Sequence, residues 1–168
     1  MAEPVTSLEL ELTVDGRRHA VRTEARATLA EVLRERCDAL GVRVGCGEGH
    51  CGACTVRLDG ATVRACTVLA AQADGGVVET VESLAAPGAP LHPLQRAFVA
   101  EHALQCGFCT AGMLLAAQEL LAERPDADDE AIREALAGNL CRCTGYQGIV
   151  RAVRRARAEA ATGEEDRR

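Results

Sequence analysis

The chain has almost no aromatic side chains. Phe98, Phe108 and Tyr146 are the whole set among 168 residues, and tryptophan is absent. Readers of nucleic acid use stacking rings on a basic face. Here rings are scarce and the formal net charge is −6, which argues against nonspecific binding to nucleic acid or to an anionic membrane. Long apolar runs are also missing, and none approaches the length of a membrane span. The first 25 residues carry no apolar h-region of a secretory signal. Arg17 and Arg18 follow the turn pair Asp15–Gly16 with no long apolar stretch after them, so they are not read as a twin-arginine export signal. A cytoplasmic chain is expected.

Cysteine, by contrast, is abundant. The nine are Cys37, Cys46, Cys51, Cys54, Cys66, Cys106, Cys109, Cys141 and Cys143. An odd count without an export signal argues against a disulfide framework and for metal binding. The spacing suggests two sets of four and one spare, Cys37.

The chain divides in two. Residues 7–14, SLELELTV, alternate apolar and polar positions with period two, the mark of a half-buried strand. Asp15–Gly16 makes a hairpin turn and residues 19–23 pair back. Thr28 and Glu31 fit a capping box. A helical stripe of Leu29, Val32, Leu33, Cys37 and Leu40 follows, with Gly41 as its stop. CTVRLDGATVRAC forms a second hairpin around Asp59–Gly60, and residues 76–81 offer a short strand. These elements predict a small mixed sheet with one helix across it. Residues 85–93, AAPGAPLHP, read as a linker. Beyond it helices are predicted over 91–104, 110–123, 128–137 and 147–160, with Leu94, Phe98 and Leu104 inward in the first. Four apolar-striped helices suggest a bundle.

The stretch GCGEGHCGAC, residues 45–54, places Cys46, Cys51 and Cys54 in a C-x4-C-x2-C pattern completed by Cys66. That is the plant-type 2Fe–2S spacing. Thiolate-held clusters are anionic, and backbone N–H groups turned inward by glycine offset that charge. A structural zinc site is the competing reading, but it favours two tight pairs over three ligands from one loop. His50 lies between ligands and is read as a loop histidine. In the second half Cys106-x2-Cys109 is followed by Cys141-x-Cys143. CGFC alone resembles a redox C-x-x-C, but that motif belongs near a βαβ unit, and this region reads as helical. The gap in CRC is tighter than zinc knuckles prefer and is compatible with two thiols on one iron of a dinuclear cluster. Spacing alone leaves this second set open.

Three segments carry a resemblance: GCGEGHCGACTV (45–56), LHPLQRAFVAEHALQCGFCTAGM (91–113) and GNLCRCTGYQGIV (138–150). They resemble the iron–sulfur subunit of the molybdenum hydroxylases, the family of xanthine dehydrogenase, aldehyde oxidoreductase and aerobic carbon monoxide dehydrogenase. The likeness covers residues 7–155. It implies an α+β fold, with an N-terminal β-grasp, plant-type ferredoxin-like domain (1–84), a linker (85–93) and a C-terminal four-helix bundle (94–168). It assigns Cys46, Cys51, Cys54 and Cys66 to one 2Fe–2S cluster and Cys106, Cys109, Cys141 and Cys143 to another. It implies contact of Gln105 and of the surroundings of Cys143 with a molybdenum–pterin cofactor on a large partner subunit, and a second partner that binds FAD.

The implied task is electron relay, with no catalytic residue on this chain: molybdenum hydroxylates a substrate with oxygen from water, and electrons pass singly through two clusters towards flavin. The family commonly has proline where this chain has Ala111. Both residues suit a first helical turn, so the cluster assignment stands. A free-standing ferredoxin-like carrier is the alternative, though it leaves the helical half unexplained. A zinc-stabilised interaction module is a third reading. GCGEG leans the resemblance towards a xanthine- or aldehyde-type enzyme, but the substrate is set by the large subunit.

Among the residues left over, Cys37 is read as core. Arg151, Arg154, Arg155 and Arg157 form a basic helix face, read as solvated, with docking to a partner as the rival.

Overall fold

The computed structural model describes residues 6–165. Its first half is a five-stranded mixed sheet. β1 (Ser7–Val14) and β2 (Arg17–Glu24) form an antiparallel hairpin with Leu12 opposite His19. The turn residues Asp15 and Gly16 both take positive φ, 48° and 78°, the backbone that matches strand twist in a two-residue hairpin. β3 (Thr55–Leu58) and β4 (Ala61–Arg64) repeat the device around Asp59 and Gly60. β5 (Val77–Glu79) enters between the hairpins, parallel to β1 and antiparallel to β3, so the sheet order is β2-β1-β5-β3-β4.

Leu10, Leu12 and Val14 alternate into the core, as period two requires, where they meet Leu29, Ala30, Val32 and Leu33 of helix α1 (Leu29–Arg36). The capping box forms. Thr28 Oγ1 accepts the Glu31 N–H at 3.3 Å, and Glu31 Oε2 accepts the Thr28 N–H at 2.7 Å. The helix stops at Arg36, short of Gly41. Asp38 takes a φ of 56°, and the Arg34 guanidinium donates to the Leu40 and Val42 carbonyls across the turned-back chain. Leu40 is therefore exposed.

The second half has its own core, built on Leu94, Phe98, Met113, Ile132, Ile149 and Val153. It contains α2 (Pro93–Ala100), α3 (Thr110–Glu123), α4 (Asp129–Leu136) and α5 (Gln147–Glu165). α2 is shorter than predicted because His102 turns left-handed at φ 50°, which leaves Leu104 exposed instead of inward. His92 caps α2 through Nδ1, which accepts the Leu94 N–H at 3.2 Å. α5 runs further than predicted.

The arginines of α5 are spent inside the molecule. Arg151 and Arg155 reach Glu101 beyond α2, Arg154 reaches Asp129 of α4, and Arg157 donates to the Ala127 carbonyl. Between the halves, the Thr62 N–H on β4 donates to Glu119 Oε1 of α3 at 2.8 Å.

Candidate metal centre

The first cysteine loop joins α1 to β3. Cys46 Sγ accepts the backbone N–H groups of Glu48 at 3.3 Å and Cys51 at 3.4 Å. These donors pull the Cys46 thiol down to about 6. The Cys51 thiol, also free, helps lower it. Cys54 and Cys66 are buried free thiols beside each other, and burial first, then the Cys66 thiol, pushes Cys54 up to about 11. Gly47, Gly49 and Gly52 all have positive φ, which turns the loop's amides inward. A Cβ at Gly45 would stand 3.0 Å from Cys51 Sγ.

The second set is drawn from two loops. Cys106 and Cys109 precede α3, and Cys141 and Cys143 precede α5. Cys143 Sγ lies 3.5 Å from Cys106 Sγ, and the Cys109 and Cys141 thiols, both free, lie near enough to shift each other. Cys143 of CRC reaches Cys106 of CGFC, and Cys141 lies against Cys109. Each turns to a different thiol of CGFC.

The Phe108 N–H holds the Cys106 thiol below its ordinary range, and the bond to Cys106 raises Cys143. Burial, then Cys141, pushes Cys109 up to about 12. At Cys141 burial acts against ionisation, but the Thr144 hydroxyl and amide outweigh it and the thiol lies low.

Within each set the free thiols lie within reach of one another: Cys54 feels both Cys66 and Cys51, and Cys109 feels both Cys141 and Cys106. Among the described residues no three His, Cys, Asp or Glu side chains gather as one metal ion would require. Each set has a buried side, at Cys54 and Cys66 or at Cys109, and an exposed side, at Cys46 or at Cys106 and Cys143. Gln105 is exposed beside Cys106, as are Leu104 and Phe108. Cys37 stands apart, half-buried at the end of α1, its thiol raised by burial and then by Asp38.

Three residues outside the cysteine motifs shape the site and escape a reading by spacing. Arg64, Asn139 and Tyr146 bond the segment before Cys141 to both halves. Tyr146 has a φ of 66°, a rare conformation for a bulky side chain. Only its place in CRCTGYQ, inside a motif of recognisable shape, marks it in the sequence.

Residues 12–84 match the 2Fe-2S iron-sulfur cluster binding domain family, and residues 80–154 match the 2Fe-2S binding domain family. The chain therefore carries two 2Fe–2S binding domains. It is 55% identical to the nicotine 6-hydroxylase small subunit of Paenarthrobacter nicotinovorans, over 89% of this chain and 90% of that protein. Its fold matches the crystal structure of quinoline 2-oxidoreductase from Pseudomonas putida 86 with a TM-score of 0.87 and 46% identity, covering 94% of this chain and 97% of that one. It also matches the aldehyde oxidoreductase from Desulfovibrio desulfuricans with a TM-score of 0.86 and 41% identity, covering 92% of this chain but 17% of that longer one. The chain belongs to the family of small iron–sulfur subunits of the molybdenum hydroxylases, and its role there is electron transfer.

The residues present suit two such clusters. A dinuclear iron site takes two thiolates on each iron, and each set offers four free thiols. Backbone N–H groups already point at Cys46 and Cys106. The Thr110 hydroxyl, next to Cys109, is buried without a protein partner, a donor open to an anionic group.

Proposed function

We propose that Cys46, Cys51, Cys54 and Cys66 hold one 2Fe–2S cluster, and that Cys106, Cys109, Cys141 and Cys143 hold the other. The observation that carries this is the gathering of four free thiols in each set within reach of one another. When bound, each cluster takes up and releases one electron at a time. The chain's own residues hold the thiolates, supply amide donors to their sulfurs, and bury one side of each set away from water. These are the means by which a protein tunes such a centre.

In this reading residues 1–84 form a β-grasp ferredoxin-like domain, 85–93 a linker and 94–168 a four-helix bundle made of α2 to α5. Electrons enter on the side of Cys106 and Cys143, where Gln105 is free to touch a pterin held by the large subunit. They leave past Cys46 towards an FAD-binding subunit. The complex works in the cytoplasm; no helix among the described residues is long and apolar enough to cross a membrane.

The test is selective loss in the purified complex. Cys106→Ser is expected to remove one 2Fe–2S signal and about half the iron, leaving the other signal in place. Loss of both signals, or of neither, would overturn the division into two sets.

A narrower substrate class follows from the relatives. Nicotine and quinoline, named in two of them, are both nitrogen heterocycles, which supports a heterocycle as the substrate of the whole complex. Dye reduction by the complex with nitrogen heterocycles, and none with simple aldehydes, is the expected result. The reverse preference would refute it.

A further inference from the structure

The loops that carry the two cysteine sets touch, and one contact is a backbone hydrogen bond between them. The Leu140 N–H donates to the Cys51 carbonyl oxygen at 2.8 Å. Cys51 belongs to the first set, and Leu140 is the immediate neighbour of Cys141 in the second. This hydrogen bond joins the backbone of a cysteine of one set directly to the neighbour of a cysteine of the other. Electron tunnelling decays more steeply across a gap than along bonds, so this contact is the favoured crossing.

The bond is clamped from both sides. Asn139 is 1% exposed, and its Nδ2 donates to the Gly52 carbonyl at 3.0 Å. Arg64 at the end of β4 donates to Asn139 Oδ1 at 3.2 Å, to the Gly138 carbonyl at 3.0 Å, and to the Thr55 hydroxyl. On the helical side the Tyr146 hydroxyl accepts the Cys141 N–H at 2.8 Å and donates to the Asn139 carbonyl at 3.2 Å. Three glycines permit the approach. A Cβ at Gly52 would stand 2.7 Å from Asn139 Nδ2, one at Gly138 would stand 2.8 Å from Arg64, and one at Gly112 would overlap the Gly52 carbonyl.

We propose that Asn139 and Arg64 are positioning residues for electron transfer, which hold the Leu140 N–H on the Cys51 carbonyl and so set the rate between the two clusters. The proposal rests on the two-cluster reading above. One electron crosses: the set on the helical side loses it and the set on the sheet side gains it. No bond breaks, and the Leu140 proton stays on its nitrogen.

The test uses the assembled complex with Asn139→Ala, Arg64→Met and, as a control, Glu119→Gln, which weakens the other link between the halves. Three quantities are read: iron content with both EPR signals, exchange of the Leu140 amide, and the rate of electron equilibration between clusters after flash reduction. Asn139→Ala and Arg64→Met are expected to keep both signals, speed exchange at Leu140, and slow intercluster transfer by about tenfold or more. Glu119→Gln is expected to leave the rate within about twofold, since Glu119 bonds Thr62 and makes no bond to Leu140, Cys51, Asn139 or Arg64. Faster amide exchange with an unchanged transfer rate would overturn the proposal, as would an equal slowing in Glu119→Gln. Loss of iron from Asn139→Ala would assign that residue to holding cluster ligands, and Arg64→Met, which keeps the Asn139 bond to Gly52, then decides. Absence of two signals in the unaltered complex would instead overturn the two-cluster reading.

Discussion

The carbonyl oxygen of Gly52 occupies the space that a Cβ on Gly112 would need. Gly52 lies in the first cysteine loop and Gly112 in the first turn of α3, so this contact seats the helical half against the loop. Two effects oppose each other in Gly112→Ala. Helix propensity favours alanine by about 1 kcal/mol. Overpacking against backbone, which cannot rotate aside, costs about 1–3 kcal/mol. The net expectation is a less stable chain, seen as a lower denaturation midpoint. A raised midpoint would show that the two halves slide apart freely.

Cys37 is the ninth cysteine and has no partner thiol in either set. Its side chain packs at the edge of the first core. Cys37→Ala is expected to leave iron content and both EPR signals unchanged and to lower stability by about 1 kcal/mol, the worth of one buried methylene-sized group. Loss of iron in this variant would return Cys37 to the ligand list.

His92 gives the fold a pH dependence. Its Nδ1 accepts the Leu94 N–H, so the cap needs a neutral ring. Burial, and then Arg96, lowers its pKa from the ordinary 6.5. The unfolded chain therefore binds this proton more tightly than the folded one. The capped helix is fully stable above the ordinary value and loses that stability as pH falls through it to the lowered one. Melting temperature across this range is expected to fall for the native chain. In His92→Asn, which caps without titrating, the histidine part of that fall should vanish. An equal decline in both proteins would assign the effect elsewhere.

Much of this was legible in residue order because the signals were local. Both hairpins followed from Asp–Gly pairs between alternating strands, and the α1 start followed from Thr28 and Glu31. The cysteine spacing of the first loop spoke for iron without help. The second set did not, because its four thiols come from two loops that only the packing of α3 and α5 brings together. For the same reason CRC left the question open: spacing along the chain cannot show which partner each thiol faces. Helix ends at Arg36 and Ala100 were missed because side-chain and backbone detail at Asp38 and His102 decides them, and neither residue is a glycine. Arg64 and Asn139 were invisible, being ordinary polar residues 75 positions apart whose meaning lies in where the halves touch. The arginine face of α5 read as solvent or partner contact, and its acids Glu101 and Asp129 lie on other elements.

The most direct measurement is low-temperature EPR of the dithionite-reduced complex, with iron and acid-labile sulfide counted on the same sample. Two distinguishable 2Fe–2S signals and about four irons per chain are predicted, one signal for each set of thiols. A single signal with half that iron would mean that Cys106, Cys109, Cys141 and Cys143 do not hold a cluster, and would contradict the relay.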